Sequence, residues 1–182
     1  LTDAKALLKC SALKKVKTYG LESCSSIEGL IGNEQLQLNL SIKSWSDPTT
    51  GSRKIESIDL SCSGMRDLEW LKIFPNTTSL EIDCEDLLDI NGLRFLPGLK
   101  ELTLRKGKFK ALACLSELHL LETLSIDKCQ QIIDVDALQK LENLTTFEIS
   151  NCENLEDISG WMSNKNRKFD VSLSLYNLKK LI

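Results

Sequence analysis

Residues 99–126 read LKELTLRKGKFKALACLSELHLLETLSI, and one phrase begins twice within them, leucine, two residues, an apolar residue, one residue, an apolar residue. The first copy is LKELTL (Leu99 to Leu104) and the second LETLSI (Leu121 to Ile126). Working outward, the phrase returns in IESIDL (Ile55 to Leu60), TSLEI (Thr78 to Ile82) and LTTFEI (Leu144 to Ile149). Its central apolar residues are Ile58, Leu80, Leu102, Leu124 and Phe147, so the steps are 22, 22, 22 and 23 residues. A fixed period of this size means stacked units, each too small to bury its own apolar face and each completed by its neighbours.

Between one phrase and the next lies a second apolar segment: MRDLEWL (Met65 to Leu71), LLDINGL (Leu87 to Leu93), FKALACL (Phe109 to Leu115), IIDVDAL (Ile132 to Leu138) and LEDISGW (Leu155 to Trp161). Its third position is Asp67, Asp89, Asp134 and Asp157 in four copies and Ala111 in the fifth. A short acidic side chain before an apolar turn satisfies the free backbone N–H groups that open a helix or 3₁₀ turn. These aspartates are therefore expected to cap turns rather than to act as catalytic acids.

The pattern extends to both ends. Leu1 to Val16 aligns with Ile133 to Phe147, matching Leu7 to Leu138, Leu13 to Leu144 and Val16 to Phe147. Further strands are expected at Val16, near Leu38 and Leu40, and in VSLSL (Val171 to Leu175). Pro48 and Gly51 mark Ser44 to Arg53 as a turn-rich loop, and Ser163 to Lys168 as a longer connection follows from the wider last step.

With 42% hydrophobic and 27% charged residues over 182 positions, the composition is that of a globular domain with a substantial core. A net charge of -3 argues against a nucleic-acid partner, which selects basic surfaces. No apolar run approaches the roughly 20 residues of a membrane span, so no membrane partner is expected. Seven cysteines, an odd number without a CxxC, give neither a disulfide framework nor a zinc site, and a reduced, cytoplasmic chain is the expectation.

The order LxxLxLxxC followed by I/L-x-D-I/L-x-x-L resembles the leucine-rich repeats, in the 22-residue class of a phosphatase regulatory subunit and the bacterial internalins. That resemblance covers essentially the whole chain. It implies an α/β architecture, a right-handed leucine-rich-repeat solenoid with a concave parallel β-sheet and short helical or 3₁₀ convex segments. Residues 1–182 would then form one leucine-rich-repeat domain of about seven repeats, a fragment of a larger protein. The family acts mainly by binding proteins on its concave strands and shares no catalytic residue that could be carried over.

The resemblance places Asn or Cys in the turn after each strand. Cys129 and Cys152 match directly; Cys62 and Cys84 come one residue sooner, and Lys106 or Gly107 interrupts the column between them. Adjacent members would stand about 4.8 Å apart, too far for a thiolate cluster with bonds of about 2.3 Å, so the thiols are expected to be packing groups.

Alternate strand residues face opposite sides of a sheet. One exposed column is expected to hold Asp59, Glu81, Thr103, Ser125 and Glu148, and its neighbour Ser61, Asp83, Arg105, Asp127 and Ser150. Arg105 between Asp83 and Asp127 reads as a charge ladder, whereas Asp59 and Glu81 are like-charged neighbours. Asp59, Glu81 and Asp83 form an expected acidic patch, with a basic one around Arg105, Lys106 and Lys108. Trp45 and Trp70 are secondary binding candidates, Trp70 more in keeping with packing.

His119 is the single histidine, no phosphate loop or HExxH is present, and the Asn-x-Ser/Thr triplets at Asn39, Asn76 and Asn143 and the basic run Asn164 to Lys168 have no pattern beyond chance. The expectation is a non-enzymatic module that recognises a protein partner, with no metal and no cofactor. The alternative is the substrate-selecting or sensor part of a larger enzyme, such as a bacterial effector ligase, whose parent could be secreted, or a nucleotide-switched immune sensor.

Overall fold

A computed structural model describes the backbone of residues 15–21 and 37–42 and the full structure of residues 55–163 and 172–181. Among these, eight strands form one parallel sheet in simple sequence order: β1 (Lys15–Leu21), β2 (Gln37–Ile42), β3 (Ser57–Cys62), β4 (Ser79–Asp83), β5 (Glu101–Arg105), β6 (Thr123–Asp127), β7 (Thr146–Ser150) and β8 (Ser172–Tyr176). The expected strands at Val16, Leu38 and Leu173 are all present, and Leu38 pairs with Ile58 across the short 20-residue step. Trp45, the Ser44 to Arg53 loop and the basic run Asn164 to Lys168 lie outside the described residues.

The leucine period becomes rows of buried side chains. Ile58, Leu80, Leu102, Leu124 and Phe147 are consecutive register partners, as are Leu60, Ile82, Leu104, Ile126 and Ile149, and all are essentially inaccessible to solvent. Behind them stack Met65, Leu87, Phe109, Ile132 and Leu155, then Leu71, Leu93, Leu115, Leu138 and Trp161. Burying each of these side chains contributes about 1.5–3 kcal/mol, and since neighbouring repeats supply the contacts, no repeat holds its core alone. Thr77, where other repeats have Leu99, Leu121 or Leu144, is the one buried polar side chain among the described residues; its hydroxyl donates to the Phe74 carbonyl at 3.0 Å.

The second apolar segment closes each unit as a 3₁₀ turn, at Glu69–Ile73, Asn91–Phe95, Ala113–Glu117 and Asp136–Lys140, and as one short α-helix, Ser159–Met162. The aspartates cap them from one residue outside the cap position. Asp67, Asp89, Asp134 and Asp157 each accept the backbone N–H two residues on, from Glu69, Asn91, Asp136 and Ser159 at 2.6 to 3.2 Å. Space is tightest at Gly92, where a Cβ would lie 2.1 Å from the Leu68 carbonyl oxygen of the preceding turn.

The turns after the strands explain the uneven spacing of the cysteines. Lys106, Lys128, Asn151 and Asn177 follow β5 to β8 with left-handed backbones, φ between 51° and 63°. Cys129 and Cys152 come after that extra residue, while Cys62 and Cys84 end β3 and follow β4 directly. Gly107 interrupts the column, and the Phe109 ring fills its place: a Cβ on Gly107 would meet Phe109 Cε1 at 2.3 Å. The buried thiols donate weakly to backbone carbonyls, Cys84 to Met65 at 3.4 Å and Cys152 to Ser150 at 3.3 Å.

Candidate functional site

With the apolar residues turned inward, the residues between them form the open face of the sheet. Asp59, Glu81, Thr103, Ser125 and Glu148 are in register from β3 to β7, and so are Ser61, Asp83, Arg105, Asp127 and Ser150. All are half-buried or exposed. A third row, Ser57, Ser79, Glu101, Thr123, Thr146 and Ser172, shares this face and was not anticipated, although the period-2 alternation carried back one step reaches it. β8 adds Ser174 and Tyr176, the latter 57% exposed.

The charges do not pair as the columns suggested. Arg105 stands in register between Asp83 and Asp127, but its guanidinium forms its ion pair diagonally with Glu81. Lys106 takes Asp83 at 2.8 Å, and Lys108 approaches Asp86 at 3.9 Å. The long cationic side chains of one repeat therefore lean over the carboxylates of the preceding one, and the expected acidic and basic patches interlock. Glu81 thus gains a counter-ion that its like-charged neighbour Asp59 could not offer. Each pair is partly exposed and contributes about 0–1 kcal/mol, so together they order the face more than they stabilise the fold.

Asp127 is held differently. Its Oδ1 accepts from Ser150 Oγ at 2.8 Å and from Asn151 Nδ2 at 2.6 Å, and Lys128 lies 3.8 Å from Oδ2. Partial burial pushes its pKa up, but the two hydrogen bonds and the charges of Lys128 and Arg105 outweigh that and hold the carboxyl below its usual range. Asn177 continues the line by donating to Asn151 Oδ1 at 2.8 Å. The centre of the face, Thr103 and Ser125, carries only small hydroxyl side chains between these networks.

Other candidates fall away from this face. Trp70 is 2% exposed, with its indole N–H on Met65 Sδ at 3.3 Å and its ring edge-on to Phe74. His119 sits in an exposed loop where its carbonyl accepts from Asn143 Nδ2 at 2.6 Å. Two clefts of about 380 and 320 Å³ flank Ala111 on the convex side, where the capping aspartate is missing, and neither is lined by a histidine or a cysteine. Among the described residues no group of His, Cys, Asp and Glu could hold a metal ion, and no helix is long and apolar enough to cross a membrane.

A sequential parallel sheet whose register partners lie 20 to 26 residues apart, closed by short helical turns over a leucine core, is the leucine-rich-repeat fold. No family model matches the chain, and no curated protein does. Among solved structures it is similar to internalin C2 of Listeria monocytogenes strain 4b F2365, at 19% identity over 93% of this chain and 84% of that one, with a TM-score of 0.57. It also matches an internalin, inlF, of the same strain, at 17% identity over 94% and 69% of the two chains and a TM-score of 0.44. The plant peptide hormone receptor RGFR1, in complex with RGF2, matches at 12% identity over 94% of this chain and 34% of its own length, with a TM-score of 0.36.

Proposed function

We propose that this solenoid is a non-enzymatic recognition module that binds a protein partner on the concave sheet, through Asp59, Ser61, Glu81, Asp83, Thr103, Arg105, Ser125, Asp127, Glu148 and Ser150. The observation that carries the reading is the division of labour along each strand. The Ile, Leu and Phe side chains within strands β3 to β7 are all buried, which leaves one continuous face of polar side chains in register. A scaffold held by main-chain ladders loses little entropy when such a face is covered. The ion pairs from Glu81 to Arg105 and Asp83 to Lys106 fix the side chains a partner would meet.

The test is affinity capture from native lysate with the wild-type chain beside two variants. One reverses Asp59, Glu81 and Asp83 to Lys; the other places Tyr at Thr103 and Ser125, where it obstructs the middle of the face without changing charge. Loss of the captured protein by either variant, with an unchanged circular dichroism spectrum, supports the reading. Capture that survives both substitutions places the partner elsewhere.

A further inference from the structure

Cys62 and Cys84 differ from the other described thiols. The residues before them, Ser61 and Asp83, are register partners across β3 and β4, so Cys62 and Cys84 are neighbours on adjacent repeats. The strand spacing of about 4.8 Å falls within the range of about 4.4–6.8 Å between Cα atoms that a disulfide spans. Each thiol shifts the ionisation of the other. Cys62 is the one described cysteine that is not buried, being partly exposed at the end of β3.

Cys129 and Cys152 provide a comparison within the molecule. They also occupy neighbouring places in the cysteine column, but both are fully buried and each donates to a backbone carbonyl. Burial pushes the thiols up, to about 12 for Cys129 and about 11 for Cys152. In the first pair the neighbouring Cys62 thiol lowers Cys84, while Cys84 and burial raise Cys62, so one proton is released more readily from the pair and the second is retained more tightly. The Cys84 thiolate so formed near neutral pH is a base that can draw the proton from Cys62 as that sulfur attacks, which the second pair lacks.

We propose that Cys62 and Cys84 form a dithiol site that a small-molecule disulfide converts to a cross-link between adjacent repeats. After Cys84 has lost its labile proton to solvent, its thiolate takes the proton of Cys62 as the partly exposed Cys62 sulfur attacks one sulfur of the oxidant. The oxidant's S–S bond breaks and its first half leaves as a thiolate. Cys84 then attacks Cys62 in the mixed disulfide, its proton passes to a departing thiolate, and the second half leaves. Two protein thiols are oxidised and one disulfide oxidant is reduced to two thiols.

The reduced chain is incubated with glutathione disulfide, alkylated under native conditions, digested and mapped by mass spectrometry. The expected result is loss of alkylation at Cys62 and Cys84 and a peptide linking them, lighter by a pair of hydrogens, while Cys129 and Cys152 remain reduced. Cys84→Ser should accumulate a glutathione adduct on Cys62, and Cys62→Ser should take up none. Full alkylation of both cysteines, a lasting glutathione adduct on wild-type Cys62, or equal oxidation of Cys129 and Cys152 would each overturn the proposal. The wild-type map decides even where a serine variant does not fold.

Discussion

The exchange between Gly107 and Phe109 tests the column architecture most directly. In this repeat the Phe109 ring, 1% exposed, occupies the space that a cysteine fills in the neighbouring repeats. A methyl group on Gly107 would stand 2.3 Å from Cε1 and 2.6 Å from Cδ1 of that ring, which the surrounding core holds in place. Overpacking of this kind costs about 1–3 kcal/mol, offset by about 0.4–1 kcal/mol from the restricted unfolded chain, so Gly107→Ala should destabilise by about 1–2 kcal/mol. Phe109→Leu removes ring atoms from a buried site and should cost about 1–2 kcal/mol. In the double variant the new methyl lies in space the ring has left, so the total should stay near about 1–2 kcal/mol instead of the additive sum of about 2–4. Urea unfolding followed by far-UV circular dichroism measures all four corners of the cycle. Additivity within about 0.3–0.5 kcal/mol would refute the exchange.

Three further outcomes follow from the packing. Gly92→Ala meets the Leu68 backbone, which cannot move aside, and should lower stability by about 1–3 kcal/mol, whereas Gly98→Ala, with nothing within 4 Å, should be neutral or slightly stabilising in the same urea assay. Ala111→Asp restores the missing cap, placing a carboxylate where it can accept the Ala113 N–H, and should raise the unfolding midpoint by an amount corresponding to about 0.5–1 kcal/mol; no change would show that this turn has no need of a cap. Asp127 has its carboxyl pKa lowered by folding, so its contribution is fully present above the unfolded value of about 3.9 and is lost as pH falls through the folded one. Wild type should therefore exceed Asp127→Asn in stability at pH 7, and the gap should close in acid; a gap independent of pH would contradict the hydrogen bonds assigned to Ser150 and Asn151.

Much of this protein was legible in its leucines. Because each repeat pairs in register with the next, a spacing counted along the chain is also a position in space, and Ile58, Leu80, Leu102, Leu124 and Phe147 could be stacked before any coordinate was known. The aspartate before each turn was readable for the same reason, since a cap bonds its own neighbours: Asp67 reaches Glu69 two residues away. Strand register, the inward face and the candidate concave columns are all consequences of local periodicity.

What periodicity left open was decided by side chains long enough to leave their own column. Arg105 is in register with Asp83 yet reaches Glu81, and Lys106 takes Asp83 in its place, because flexible cations settle where several carboxylates compete within reach. The ring of Phe109 crosses two residues to fill the gap at Gly107, and the exposure of Cys62 beside a buried Cys84 depends on how the turns cover each thiol. Those choices depend on distances across repeats, which the period specifies for Cα atoms and not for the ends of side chains.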